Sequence, residues 1–392
     1  MTASGQEQGP ARIGPQPDEP PYSGAVMPGG GAGQRIVSEA LGALARGDQA
    51  TARRLLERAA RAGFAGAQVL LGDLLGAEGA PGADRDAALR WYRAAALQGS
   101  EEAQERLRAV RLALAADLAG IDASGPTGPD GVPVPAGWTL MFRLGRVDEG
   151  ISTLIREAET LYPPAQMSLE ILYRNRVEGG PPLYDARIRG YFERSAREGV
   201  PRSRLVLGRM HANGWGVPRD DERALAMLRG ASGLSDARLE MASIELRRGN
   251  QALAEQHWRA AGEMSDPLGW YQLGVGQRKR GAHAAANDSF RAALELDPEL
   301  TPALANLAQS YMEGLGVDAH PQTGLDLYER AAALGDPVAQ FVLGRLLVRG
   351  VGDRRDEAAG RRWLEESARQ NFEPAVRLLE EWGTGGGIDS PR

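Results

Sequence analysis

The chain has 392 residues, 42% of them hydrophobic and 25% charged, enough for two or three globular domains or one long repeat array and too apolar for bulk disorder. A formal net charge of −6 gives no global positive field, which disfavours a dedicated binder of nucleic acid or anionic lipid. The absence of cysteine removes disulfide frameworks, thiol nucleophiles, cysteine zinc sites and thiol-borne lipid anchors, and a single lysine, Lys279, among 46 basic residues fits the codon bias of a GC-rich bacterial genome.

In chain order, residues 1–35 come first, with eight Gly, six Pro and few large apolar side chains. That composition buries too little surface to offset the entropy of ordering, so a disordered arm is expected. The arm also lacks the basic start and apolar stretch of a signal peptide, and no run of 18 apolar residues occurs anywhere. The expectation is a cytoplasmic protein without direct membrane insertion, or a periplasmic one if a leader has been removed. A first block of helical repeats is expected over 36–118. A linker follows at 119–137, where nine of 19 residues are Gly or Pro and the run from Ser124 to Pro135 cannot carry a helix. A second repeat block spans 138–383, with Trp138 to Leu144 as its first helix, and a Gly-rich flexible tail closes the chain at 384–392.

Within the blocks one pattern returns: two large apolar or aromatic residues, a gap of two, a small pair, then a turn residue. It is clearest at Trp91-Tyr92, Tyr191-Phe192 and Leu327-Tyr328, fits Trp363-Leu364, and is weaker from Leu55, Leu154, Met227, His257 and Ser289. Successive starts lie 36, 63, 37, 36, 30, 32, 38 and 36 residues apart, the 63 spanning the linker. A second motif pairs Leu with a small residue, as in Leu71-Gly72, Leu207-Gly208, Leu307-Ala308 and Leu343-Gly344, with another small residue one turn before. Spacings of three and four put these side chains on one helical face. Each unit is then a helix A, a turn and a helix B. One such hairpin cannot bury its apolar stripe alone, so neighbours stack.

These residues resemble the Sel-like repeat family, a branch of the tetratricopeptide superfamily. The resemblance rests on Leu207-Gly208, the loop Asn213 to Asp220 leading to Ala224, the loop Glu313 to Asp318 before the Tyr328 helix, and Leu343-Gly344 with Gly350, Gly352 and Trp363. The unit at 268–298, with Tyr271, Phe290 and Asp297-Pro298, is more similar to an ordinary tetratricopeptide repeat. The resemblance implies an all-α fold, a right-handed α/α superhelical solenoid of about nine helix-turn-helix repeats. It also implies protein–protein interaction in signalling, envelope assembly or exopolysaccharide-secretion complexes.

The residues offer little conventional chemistry. His211, His257, His283 and His320 lack metal-ligand spacing, and the glycines at 214, 216, 314 and 316 recur at one phase of the array, as structural turns do. Asp86, Asp220 and Asp318 sit where helix N-termini favour acids. Trp91, Trp258 and Trp363 fall at core phase. No catalytic residue, metal site or cofactor is expected.

If each helix A is numbered so that its Leu-small pair is 7 and 8, the resemblance implies that positions 2, 5, 9, 12 and 13 line a concave groove. Position 5 is then Met167, Leu205, Leu239, Tyr271, Ala305 and Phe341. Positions 9, 12 and 13 supply Arg174, Arg209, Arg247, Arg278, Lys279, Arg345 and Arg349, while Asn175, Asn213 and Gln309 offer hydrogen bonds to a bound backbone. An apolar row beside a basic one suits a protein segment carrying acidic and hydrophobic side chains. The competing reading stays open: position 5 packs on the next repeat, and arginines near helix C-termini oppose the dipole. The expected function is a non-catalytic scaffold or adaptor for protein partners. The alternatives are an envelope or exopolysaccharide-secretion scaffold in the periplasm and, less favoured, a peptidoglycan hydrolase on a helical superhelix or an RNA-binding array. The acidic balance argues against nucleic acid as a partner, and the residues do not set the oligomeric state.

Overall fold

The structure is a computed structural model that describes residues 30–77, 84–117, 135–174, 185–351 and 354–383. Most of the expected arm, nearly all of the linker and the whole tail at 384–392 lie outside the described residues. The chain divides into two compact units, Met1–Val206 and Leu207–Arg392, with the division falling inside one helix.

The first unit carries α1 (Gly30–Ala45), α2 (Gln49–Arg61), α3 (Ala65–Gly76), α4 (Arg85–Leu97) and α5 (Glu101–Asp117). After residues 118–134, which lie outside the described residues, come α6 (Ala136–Leu144), α7 (Val147–Glu159), α8 (Pro163–Arg174) and α9 (Ala186–Arg197). Helix α10 (Pro201–Asn213) contains the division. The second unit continues with α11 (Asp221–Arg229), α12 (Ser235–Arg247), α13 (Gln251–Glu263), α14 (Pro267–Lys279) and α15 (His283–Leu296). It ends with α16 (Thr301–Glu313), α17 (Pro321–Ala333), α18 (Pro337–Arg349), α19 (Glu357–Arg369) and α20 (Glu373–Gly383). Apart from an isolated bridge between Val351 and Arg354, helix is the only regular structure among the described residues.

Among the described residues the helices pair as nine hairpins, from α1/α2 and α3/α4, through α6/α7, to α18/α19. All nine recurring large pairs fall on the second helix of a hairpin, where burial explains their recurrence. Tyr92, Phe192, Trp258 and Tyr328 are buried, and Trp91 and Trp363 pack on the cores of their units. Burying a side chain of this size contributes about 1.5–3 kcal/mol relative to leaving it exposed, which is what drives hairpins to stack. In the second unit one continuous cluster runs through Leu304, Leu325, Tyr328, Ala331, Leu343 and Leu347, drawn from α16, α17 and α18. The Tyr328 hydroxyl is pushed up to about 12 by burial, with Glu313 adding to the shift.

The expected boundaries need two corrections. Helix α1 starts at Gly30, so 30–35 belong to a helix and not to the arm. The glycines there are poor helix formers, but Gly33 is covered by the Phe64 ring, whose nearest carbon would lie 2.0 Å from an added Cβ. Tertiary packing overrides propensity at that point. Helix α6 likewise begins at Ala136, inside the expected linker and two residues before Trp138. Its first amides are capped from outside, because the buried Glu157 carboxylate on α7 accepts from Ala136 N at 2.9 Å and Gly137 N at 3.2 Å.

Burial pushes the Glu157 carboxyl above its ordinary value, against the opposing pull of those two amides and of Arg111. A carboxyl with a raised folded-state pKa favours the folded state most when protonated, and that contribution is lost as pH rises through the folded pKa. Acidification from neutrality towards pH 4.5, the ordinary glutamate value, should therefore stabilise the wild type relative to Glu157→Gln. Paired thermal melts across that window check it; parallel pH slopes for the two proteins would refute it.

Helix N-termini follow the acid-capping expectation with a changed register. Asp220 caps α11 through Arg223 N at 2.9 Å. On α4 the cap is Asp84, with Asp86 in the first turn, and on α17 it is His320, not Asp318. The loops before α11 and α17 are equally long, so His320 occupies the place of Asp220. The turn glycines at 214, 216, 314 and 316 all have positive φ, the conformation that glycine adopts without a steric penalty.

Candidate functional site

Helix α18 shows how a helix A is divided between core and solvent. Ala339, Leu343 and Gly344, at positions 3, 7 and 8, are buried. Val338, Phe341, Arg345 and Arg349, at positions 2, 5, 9 and 13, form a second face by their spacing of three and four. Val338 is 47% exposed, Arg349 is exposed, and Phe341 and Arg345 are half-buried. On α14 the same positions are Leu268, 45% exposed, Tyr271, Val275 and Lys279, and on α16 they are Pro302, Ala305, Gln309 and Glu313. The N-terminal half of this face is apolar on all three helices. Its C-terminal half is cationic on α14 and α18, as the helix dipole favours.

The residues singled out in the sequence fall into two groups. The first is knitted into the fold. Arg209 donates to Glu240 at 2.8 Å and lies 3.5 Å from Asp236, with 18% of its side chain exposed. Arg247 lies 3.0 Å from Asp221 and donates to the Ala212 carbonyl at 3.4 Å. Burial raises the Asp221 carboxyl, but hydrogen bonds from Arg219 and Arg247 outweigh it and hold the group below its usual range. Arg278 donates to Gln309 Oε1 at 3.0 Å, and Gln309 donates to Glu313 at 3.1 Å. Asn213 donates to the Arg209 carbonyl at 2.9 Å, on its own helix. Leu205, at position 5, is fully buried.

The second group faces solvent. Lys279 is exposed in the last turn of α14, and Tyr271 packs its ring 6.1 Å from that of Phe290. Phe341 lies 5.5 Å from the Phe372 ring, and the Arg345 guanidinium sits over Phe341 at 5.5 Å, within cation–π range. Burial disfavours the charged form of Arg345, and neighbouring Arg349 adds to the effect. Among the described residues, neither Arg345 nor Arg349 has a carboxylate within ion-pair distance. In the first unit, Arg174 ends α8 and is exposed, and Met167 at position 5 is also exposed. Asn175 lies outside the described residues.

Sequence reasoning missed the acids that neutralise the first group. One signal could have found Glu240: a charged position 9 of one helix A meets position 6 of the next. Asp73 on α3 and Arg106 on α5 occupy those positions and pair at 2.8 Å and 3.1 Å, with Tyr92 donating to Asp73 at 2.8 Å. Arg209 and Glu240 are the same pair with the charges exchanged. Among the described residues no three His, Asp or Glu side chains are grouped so as to hold a metal ion, and no helix is long and apolar enough to cross a membrane.

Five segments, 39–64, 65–100, 201–233, 301–336 and 337–372, match the Sel1 repeat family. Each of the last four covers one helix A and helix B, whereas the short-turned hairpins α12/α13 and α14/α15 lie outside the matches. Among solved structures, the chain is similar to a protective antigen of uropathogenic Escherichia coli displaying an SLR fold, at 20% identity and a TM-score of 0.52, over 89% of this chain and 79% of that one. It is also similar to a Sel1 repeat protein from Oxalobacter formigenes, at 23% identity and a TM-score of 0.51, over 84% and 90% of the two chains. At these identities the likeness is one of fold. No curated protein matches the chain. Five segments that match the Sel1 repeat model, set in a succession of helical hairpins with the fold of other Sel1 repeat structures, show that the chain carries Sel1 repeats.

Proposed function

We propose that the chain is a non-catalytic scaffold that binds protein partners along the helix A face of its second unit. The observation that carries this reading is the solvent-facing stripe shared by α14, α16 and α18. Leu268 and Val338 remain exposed on it beside Tyr271 and Phe341, and Lys279, Arg345 and Arg349 follow at the C-terminal ends. Preformed helices lose little conformational entropy on binding, so apolar contacts on such a face convert efficiently into affinity. Cations at one end favour partners of complementary charge and set their direction. The Sel1 repeat fold itself supports an interaction role without naming a partner.

The test is affinity capture with the full chain and a Leu268→Asp/Val338→Asp variant. Both side chains are exposed, so the variant should keep its helicity while losing the proteins that the wild type retains. Capture of the same proteins by both baits would remove this face from the account.

A further inference from the structure

Resting on that reading, we infer that Arg345 and Arg349 are an anion-reading end of the face, built to receive an acidic segment of a protein partner that carries an aromatic or aliphatic side chain beside its carboxylates. Where position 9 of helix A is charged, it forms an inter-repeat ion pair once in each unit: Asp73 meets Arg106, and Arg209 meets Glu240, each partner standing at position 6 of the following helix A. The register is fixed by the small residue at position 3, which is fully buried in every case, as Ala103, Ala237, Ala339 and Ala375. Arg345 is position 9 of α18, and counting from Ala375 makes position 6 of α20 Leu378. Asp73 and Arg209 thus each meet an opposite charge at this place, whereas Arg345 is set against a leucine.

The surroundings sharpen the contrast. Arg345 is half-buried over the Phe341 ring, and Arg349 stands one helical turn on. Two cations this close, one of them partly desolvated, repel each other unless an anion sits between them. A carboxylate arriving there would be bound by charge-assisted hydrogen bonds from planar guanidinium groups. The tilted Phe341 and Phe372 rings, 5.5 Å apart, and exposed Val338 supply apolar surface next to the cations. A long polyphosphate is the poorer match. The cationic stretch is short, the neighbouring helix presents Glu313 in the corresponding last turn, and the whole chain carries a net charge of −6.

Fluorescence anisotropy with the full chain tests the inference. The probe is a fluorescein-labelled peptide Gly-Asp-Glu-Phe-Asp-Glu-Leu-Gly, set against the same peptide with Asn and Gln for its acids and against an eight-nucleotide oligouridylate. The acidic peptide should bind at least about tenfold more tightly than the neutral one, the scale of one charge-assisted contact, and Arg345→Gln/Arg349→Gln should erase that preference. The same variant should melt at or above the wild-type temperature, because it removes charges that have no carboxylate within ion-pair distance among the described residues. No binding by the wild type, equal binding of the two peptides, an unchanged preference in the variant or tighter binding of the oligouridylate would each overturn the inference. A lowered melting temperature would do so as well, by making Arg345 a packing residue. If the Leu268→Asp/Val338→Asp bait still loses its captured proteins while the peptide results fail, the scaffold reading stands and the anion-reading end does not.

Discussion

Replacing Leu343 by aspartate should unfold the C-terminal hairpins of the second unit. Leu343 is fully buried in the cluster that joins α16, α17 and α18, in company with Leu325, Tyr328 and Ala331. The substitution removes a leucine side chain, which alone costs about 2–5 kcal/mol, and adds a carboxylate with no partner in that cluster. The total exceeds about 4 kcal/mol, a large share of the roughly 5–15 kcal/mol that stabilises an ordinary domain. In stacked repeats each hairpin leans on its neighbours, so the loss should extend through 301–372 and not stay at one site. Hydrogen exchange and far-ultraviolet circular dichroism check this. A variant with wild-type protection over α16 to α19 would show that the assignment of Leu343 to the shared core is wrong.

Gly344→Val should be nearly as damaging, by steric exclusion instead of charge. Helices α18 and α19 cross with their backbones in contact: a Cβ on Gly344 would lie 2.8 Å from the Gly360 carbonyl oxygen and 2.7 Å from Leu364 Cγ. The reciprocal Cβ on Gly360 would lie 2.6 Å from the Gly344 carbonyl oxygen. Backbone cannot yield as a flexible side chain can, so the hairpin must open, at about 3 kcal/mol or more. The control is Gly66 on α3, which is exposed and where an added Cβ would have nothing within 4 Å. There alanine should stabilise by about 0.5–1 kcal/mol through helix propensity and a restricted unfolded chain. Opposite signs at the two glycines are expected in thermal melts. Equal, small effects would mean that the backbones of α18 and α19 do not touch.

The hairpin architecture is legible because burial has a period. Trp91, Tyr191, Leu327 and Trp363 announce their helices by spacing alone, and the weak copies at His257 and Ser289 become readable once the stronger ones set the phase. Edges are less legible. The glycines at 30–33 read as a flexible arm because the ring that covers Gly33, that of Phe64, lies about thirty residues away in sequence. Ala136 reads as linker because its cap, Glu157, sits on the next helix. Helix α5 blurs the pattern because among the described residues no second helix follows it to complete a hairpin. His320 does not stand out as a cap because histidine seldom takes that role, although Thr323 N donates to its Nδ1 at 3.4 Å.

The candidate site is legible only as a set of positions. Arg209, Arg278 and Arg345 look equivalent by phase, yet their surroundings differ: Arg209 meets Glu240, Arg278 meets Gln309, and Arg345 lies over Phe341. The first two partners come from other helices, 31 residues away. Phase says which side of a helix a residue occupies, not which charge waits opposite. An Arg209→Glu substitution would therefore set three acids together and test stability, whereas changes at Arg345 and Arg349 test recognition.

In the proposed scaffold, protein partners bind the face shared by α14, α16 and α18. The most direct measurement is hydrogen exchange on the full chain, alone and with a partner captured by the wild type. Slowed exchange over 267–279 and 337–349, absent when Leu268→Asp/Val338→Asp replaces the wild type, is the predicted result. Protection confined to the second helices of the hairpins, or to the first unit, would contradict the claim and move the binding surface elsewhere.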